Sequence, residues 1–259
     1  MPLIIWFDDG LVEHYTVAFP LMQKAGFKAV DAVITGYVGA TWPDEGWRDK
    51  PCMTLQQLRE LHSAGWDIVS HSVTHPHFPK ISVEQAKREF INSKAWIRSQ
   101  GFEDYCFAWP FGEIAYQDIE QRYYDYERTL SPDVWNGQSR LIPTTVVVTH
   151  ESPISPQVDL ALNKARDGYA VLMFAHGIRT LTEERDPWEI TPEECVSIIN
   201  QIKNSGVQVK TLSEIIGCPY ATLTPFRSLN QILCRVWTYF RHRNVKKHLT
   251  QPMKTEQDV

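Results

Sequence analysis

Hydrophobic and polar positions follow two rhythms along this chain: short, mainly apolar runs, and longer stretches with an apolar residue every three or four positions. The runs predict buried strands at Pro2–Phe7, Ala29–Ile34, Trp66–Ser70, Tyr105–Ala108, Leu141–Thr149, Ala170–Ala175 and Val207–Lys210. The periodic stretches predict helices at His14–Ala25, closed by Gly26, and at Ile114–Tyr124, Val158–Arg166 and Leu212–Ile216. Three more helices open on capping boxes, Thr54 to Gln57, Ser82 to Gln85 and Thr191 to Glu194, and run to about Ala64, Gln100 and Asn204. The pattern is weakest over residues 131–156. Between residues 36 and 53 lies a loop rich in Gly, Pro and Trp, long enough to read as functional. Strands alternating with helices predict a parallel sheet covered by helices. Seven or so strands without a GxGxxG fingerprint fit a barrel better than an open dinucleotide-binding sheet.

Composition changes this picture little, and charge changes it more. The 259 residues are 43% apolar and 22% charged, ordinary for a globular protein with a proper core. No run of 18 apolar residues occurs, so no transmembrane helix is expected, and the N-terminus enters a strand without a basic leader. Cys52, Cys106, Cys195, Cys218 and Cys234 are scattered and form no CxxC, which favours reduced thiols and a cytoplasmic setting. The net charge of −5 hides an asymmetry: residues 221–250 hold six Arg or Lys and no acid, so residues 1–220 are strongly acidic. An acidic body argues against nucleic acid as a partner.

The chemistry-bearing residues gather where the predicted strands end, as they do in parallel α/β folds. The first strand delivers Asp8-Asp9-Gly10, which alone reads more readily as a turn than as a site. Adjacent carboxylates repel, however, unless a cation or a working proton offsets the repulsion. The third strand delivers His71 and His75, four apart, so that one helical turn would aim both imidazoles at one point. Two histidines and a carboxylate leave a position open for water, the arrangement of a catalytic zinc. His77, two residues further on, reads as pointing away. Later strand ends carry Trp109-Pro110-Phe111-Gly112 and His176. Trp42, Trp47, Trp109, Phe111 and Trp135 offer faces for stacking on sugar rings, although packing is the stronger reading for each. Cys106, inside a strand, reads as a small core residue.

These residues resemble the polysaccharide deacetylase family (carbohydrate esterase family 4, the chitooligosaccharide deacetylase homology domain). Trp6-Phe-Asp-Asp-Gly10 is similar to its T-F-D-D-G motif, and His71-Ser-Val-Thr-His75 to H-[ST]-x-x-H. Phe107-Ala-Trp-Pro-Phe-Gly112 is similar to F-A-Y-P-Y-G, and Leu172-Met-Phe-Ala-His176 to a strand closing on L-x-H. The resemblance spans roughly residues 2–216 and implies a deformed (β/α)7 barrel. It implies that Asp9, His71 and His75 hold a divalent metal, Zn2+ or else Co2+, Ni2+ or Mn2+, with Asp8 as general base and His176 as general acid. It places the oxyanion at the Phe111 backbone N–H, with Trp109, Pro110 and Gly112 beside it. The implied activity removes an N-acyl group, usually acetyl, from an amino sugar, an oligosaccharide, or a lipid- or nucleotide-linked glycan precursor. Deacylation of a non-carbohydrate amide, deformylation included, and an inactive metal-retaining carbohydrate-binding relative are the alternatives.

Two departures stand out. The arginine that often opens the third motif, and orients the base, is here Ala108. The Asp of the fourth motif is not clear; Asp133, near Trp135, is the candidate, against an exposed-turn reading. The chain therefore reads as a catalytic barrel over residues 1–218 and a basic tail over 219–259. In the tail, Leu229, Ile232, Leu233, Val236 and Phe240 recur at helical spacing among arginines. Three readings stay open for it: docking on the barrel, contact with an anionic membrane at the inner face through residues 226–248, or contact with a partner chain.

Overall fold

A computed structural model describes residues 1–42, 50–174, 176–179 and 187–217. Eight parallel strands form one sheet: β1 (Leu3–Asp9), β2 (Val30–Val33), β3 (Asp67–Ser70), β4 (Cys106–Ala108), β5 (Tyr126–Thr129), β6 (Leu141–Pro143), β7 (Val146–Val147) and β8 (Ala170–Met173). Their order is β6-β5-β4-β3-β2-β1-β8-β7. The two ends of the sheet are halves of one stretch, interrupted at Thr144-Thr145. Its first half pairs with β5 and its second with β8. Thr144 N–H donates to the Thr129 carbonyl, and the Thr145 hydroxyl accepts from Val171 N–H, so the break is hydrogen-bonded on both sides. The single strand expected at Leu141–Thr149 is thus a kinked seam that closes a seven-position ring. The fold is the deformed (β/α) barrel.

The helices are α1 (Phe19–Ala25), α2 (Leu55–Ser63), α3 (Val83–Gln100), α4 (Gln117–Glu120), α5 (Ile154–Lys164), α6 (Pro192–Ser205) and α7 (Leu212–Ile216). All three expected capping boxes form, and Thr211 with Glu214 makes a fourth. Along β1, Leu3, Ile5 and Phe7 join the core beneath the helices, with Met22, Leu58 and Ile198. Ile4, Trp6 and Asp8 alternate with them and face the barrel interior. All seven strand residues are buried, which explains why β1 reads as an unbroken apolar run.

Four expectations need correction. The helix at His14–Ala25 starts as a π-helical turn, His14–Ala18, before α1. The helix at Ile114–Tyr124 shrinks to α4, because Tyr116 takes a left-handed backbone at its start. The chain then enters β5, which the pattern did not predict. Val207–Lys210 makes only a single bridge, Val209 to Leu3, with Lys210 N–H donating to the Leu3 carbonyl. The basic tail, Trp47, Cys218 and Cys234 lie outside the described residues, and no described helix is long and apolar enough to cross a membrane.

Candidate active site

The C-terminal ends of β1, β3, β4, β5 and β8 converge on a pocket of about 170 Å³. Asp8, Asp9, His71, His75, Trp109, Phe111, Gly112 and His176 all line it. Neighbours in an extended strand point to opposite faces, so Asp8 and Asp9 share the pocket only because the backbone turns. Asp9 has φ 79°, a left-handed conformation that Asp tolerates better than most residues. Ser72, His75 and Phe111 also have positive φ, so backbone strain is concentrated around this pocket. Gly112 lines it with φ +68°, and a Cβ there would lie 2.8 Å from the Leu130 side chain. A larger residue would force Leu130 aside and strain the backbone.

His71 and His75 do not share a helical turn, contrary to the spacing argument. The chain between them is an irregular loop held by Glu89 of α3. The Glu89 carboxylate accepts from Val73 N–H at 2.7 Å, Thr74 N–H at 3.0 Å and the Thr74 hydroxyl at 2.8 Å. Ser72 Oγ accepts from His75 N–H at 2.9 Å. The imidazoles still converge. His71 Nδ1 bonds to the Ala108 carbonyl at 2.9 Å, which turns Nε2 toward the pocket. The two Nε2 atoms lie 3.2 Å apart, and Asp9 Oδ1 lies 3.4 and 3.6 Å from them.

This donor set fits a small divalent cation. Tetrahedral ligation with bonds of about 2.0–2.2 Å separates the ligand atoms by about 3.3–3.6 Å. Asp9 Oδ1 is buried with no hydrogen-bond partner, an expensive state that a cation would relieve. Burial, then the positive charge of His71, pushes His75 down to about 3, so its nitrogen is free to ligate. The burial that disfavours a charged His71 is outweighed by Asp8 and Asp9, which raise its pKa. Positive charge is what this spot stabilises. His77 is outside the set: its ring stacks on Phe111 at 3.9 Å, and it pairs with Glu113 at 3.0 Å.

Asp8 has what Ala108 fails to provide. Arg128, fully buried on β5, donates from Nη2 to Asp8 Oδ2. Arg128 is the register partner of Ala108, so the arginine sits one strand over at the same level. The Trp6 indole N–H donates to Asp8 Oδ1 at 2.8 Å, and the Arg128 guanidinium lies 5.2 Å from the Trp6 ring centre. Burial alone would raise the Asp8 pKa; Arg128, and then His71, outweigh it and hold the carboxyl below its usual range. Trp6, which stands where the first motif has Thr, and Arg128, which stands beside Ala108 where the third motif has Arg, meet at this one carboxylate. Composition gave no hint of Arg128, because a charged residue inside a fully buried strand hides the strand.

His176 faces this group from beyond β8, with Nε2 3.7 Å from Asp9 Oδ2. Burial lowers its pKa, and the Asp9 and Asp8 carboxylates offset this only in part. Trp109 is anchored from behind: its N–H donates to Glu127 Oε2 at 2.7 Å. Glu127 in turn pairs with Arg140 at 2.5 Å. Pro110 is buried and opens the 3₁₀ turn that carries Phe111.

Asp133 and Trp135 do not line the pocket. Asp133 is exposed, and its carboxylate accepts from the N–H of the next residue, as a turn residue does. Trp135 is fully buried, with its N–H given to the Ser139 carbonyl at 2.9 Å. Cys106 is a buried core thiol.

Residues 2–126, which carry the Asp8-Asp9 doublet, both histidines and the Trp109 turn, match the family model described as Polysaccharide deacetylase. That segment, just under half of the chain, is similar to the polysaccharide deacetylase family. A provisionally described polysaccharide deacetylase of Bacillus subtilis (strain 168), YxkH, is 29% identical over 92 residues, which are 36% of this chain. The match spans only 30% of that relative's length. Two solved family structures share the fold. One is the Xyl-CE4 domain of a multidomain xylanase from the hindgut metagenome of Trinervitermes trinervoides. It is 18% identical with a TM-score of 0.52, covering 83% of this chain and 89% of that one. The other, a family 4 carbohydrate esterase from Streptomyces lividans in complex with acetate, is 18% identical with a TM-score of 0.51, covering 79% and 86%.

Proposed function

We propose that this protein is a divalent-metal-dependent hydrolase that removes an N-acyl group, acetyl first among them, from an amino-sugar substrate. One observation carries the reading. Two adjacent carboxylates divide their surroundings, Asp9 with an orphaned oxygen facing two imidazole nitrogens and Asp8 held by Arg128 and Trp6. Asp9, His71 and His75 would hold the cation, which when bound supplies Lewis acidity and a more acidic water.

The remaining steps belong to the chain. Asp8, kept anionic by Arg128, takes a proton from the water that attacks the acyl carbon. Donors at the Phe111 turn stabilise the oxygen that gains charge. As the C–N bond breaks, His176 gives a proton to the departing nitrogen, and the products are a carboxylic acid and a free amine. A pocket of about 170 Å³ admits the acyl group and leaves a sugar ring at the mouth, against Trp42, Phe111, Leu130 and Trp188. The same apolar walls support a non-carbohydrate amide as a second reading. Cytoplasmic residence and membrane contact through residues 226–248 belong to the proposal on sequence grounds alone.

The test is acid release from a panel of N-acetyl and N-formyl sugars and simple amides, with added Zn2+ or Co2+. Release that depends on metal and is lost in Asp8→Asn supports the reading; sugar binding without release replaces it with a carbohydrate-binding role.

A further inference from the structure

Behind the pocket wall lies an ionisable pair that none of these steps uses. His14 and Asp31 are both fully buried, with His14 Nδ1 2.8 Å from Asp31 Oδ2. The other ring nitrogen, Nε2, lies 2.9 Å from the backbone carbonyl of His176. A carbonyl only accepts, so His14 Nε2 carries hydrogen, wherever the proton shared with Asp31 resides. His14 is the first residue of the π-helical turn, and its ring packs on Phe7 at 4.8 Å. Asp31 sits on β2 in register with Phe7, and its Oδ1 has no hydrogen-bond partner.

Stability does not explain such a pair. A buried ion pair seldom outperforms apolar residues of the same volume, and this one lies against Phe7, which itself packs on Phe174 and Trp66 in the apolar core. The explanation lies in what it grips. Pairing of β8 with β1 stops at Met173, followed by one bond from Phe174 N–H to the Trp6 carbonyl. Gly177 N–H bonds to the Trp188 carbonyl, where a second, two-stranded parallel pairing of Gly177–Ile178 with Glu189–Ile190 begins. His176 lies where the chain has left one sheet and not yet joined the next, and His14 holds its carbonyl there. The orientation of that peptide sets the direction of the His176 Cβ, and hence whether its imidazole faces the reacting group.

We infer that His14, oriented by Asp31, is a positioning residue for His176, holding its peptide so that the imidazole meets the departing nitrogen. The inference rests on the reading of His176 as the acid that protonates the leaving group.

The test uses two leaving groups on the full-length, metal-loaded protein. An N-acetyl amide needs its nitrogen protonated; 4-nitrophenyl acetate releases a stable phenolate and does not. His14→Phe keeps the ring volume and removes the donor. It should lower kcat on the amide about a hundredfold, the scale of a misplaced catalytic group, with ester turnover reduced several-fold at most. His14→Gln, which retains a donor, should recover part of the loss, and His14→Phe combined with His176→Ala should be no worse than His176→Ala alone. Equal losses on both substrates, or losses that multiply in the double variant, overturn the inference. Should His14→Phe fail to fold, Asp31→Asn is read by the same criteria.

If His176→Ala loses ester and amide alike, the acid assignment fails and the positioning role with it. If the unaltered protein turns over neither substrate, the deacylase reading fails, and the tie is judged from the imidazole 15N shifts of His14. A protonated Nε2 supports the His14–His176 tie, and a bare Nε2 overturns it.

Discussion

Replacing Arg128 by methionine tests the link between fold and chemistry most sharply. The guanidinium is fully buried and Asp8 is 3% exposed, so no water takes over when the charge is removed. Removing one partner of a buried pair generally costs about 3–5 kcal/mol, because the remaining charge is stranded. Asp8 escapes part of that cost by holding its proton, and a protonated Asp8 cannot act as a base. If about 3 kcal/mol of the loss falls on the reacting complex, kcat at neutral pH drops about a hundredfold. The sign of the pH effect follows. Arg128 lowers the Asp8 pKa, so its loss raises it, and the acid limb of the rate profile moves to higher pH. The deficit should therefore be larger at pH 6 than at pH 9. Arg128→Lys should fall between, since lysine keeps the charge without the planar fork. Ala108→Arg combined with Arg128→Met returns the cation to the neighbouring strand at the same register and should recover part of the rate. Steady-state kinetics from pH 5 to 9, with thermal melts to confirm folding, provide the reading. An Arg128→Met protein with an unchanged rate and an unchanged acid limb refutes the reasoning.

Other consequences can be measured without a known substrate. His71→Ala or His75→Ala should lose the one bound divalent cation seen by metal analysis, whereas Asp8→Asn should retain it; retention in both histidine variants removes the ligand assignment. Glu89→Gln loosens the loop between the two histidines and should weaken cation affinity about tenfold by calorimetry, as losses of such supporting contacts do. At the opposite end of the barrel, burial and the charge of Glu103 push Asp67 up to about 7. The folded protein then holds a proton that the unfolded chain releases above about pH 4, so stability falls as pH rises from about 4 to 7. Asp67→Asn should flatten that slope, worth on the order of a few kcal/mol, in urea midpoints compared at pH 5 and 8.

The legible part of this molecule is the part where one residue type does one job. Mainly apolar runs, broken by Asp31 in β2 and Asp67 in β3, marked β1, β2, β3 and β8 because both faces of each strand are covered. Capping boxes marked α2, α3 and α6 because a side chain three residues inside the helix closes the first turn. The doublet Asp8-Asp9 and the pair His71 and His75 were visible as residues that meet in one pocket, although a loop braced by Glu89, and no helical turn, brings the histidines together. What stayed hidden was buried charge. Tyr126-Glu127-Arg128-Thr129 is a core strand whose polar residues are matched across space, Glu127 by Trp109 and Arg140 and Arg128 by Asp8. No local pattern records such a match. The signal that could have led there was the absence at Ala108: a buried carboxylate needs a counter-charge, and the next strand at the same level is where one can stand. His14 was hidden for the same reason, since its partners lie 17 and 162 residues away.

The central claim is that Asp8 and Asp9 hold separate jobs, one moving a proton and the other ligating a cation. The most direct measurement follows acetate release and bound metal together, in the unaltered protein, Asp8→Asn and Asp9→Asn, on an N-acetylated oligosaccharide. The account predicts release from the unaltered protein, metal without release in Asp8→Asn, and neither metal nor release in Asp9→Asn. Full release by Asp8→Asn, or a full complement of metal in Asp9→Asn, would contradict it.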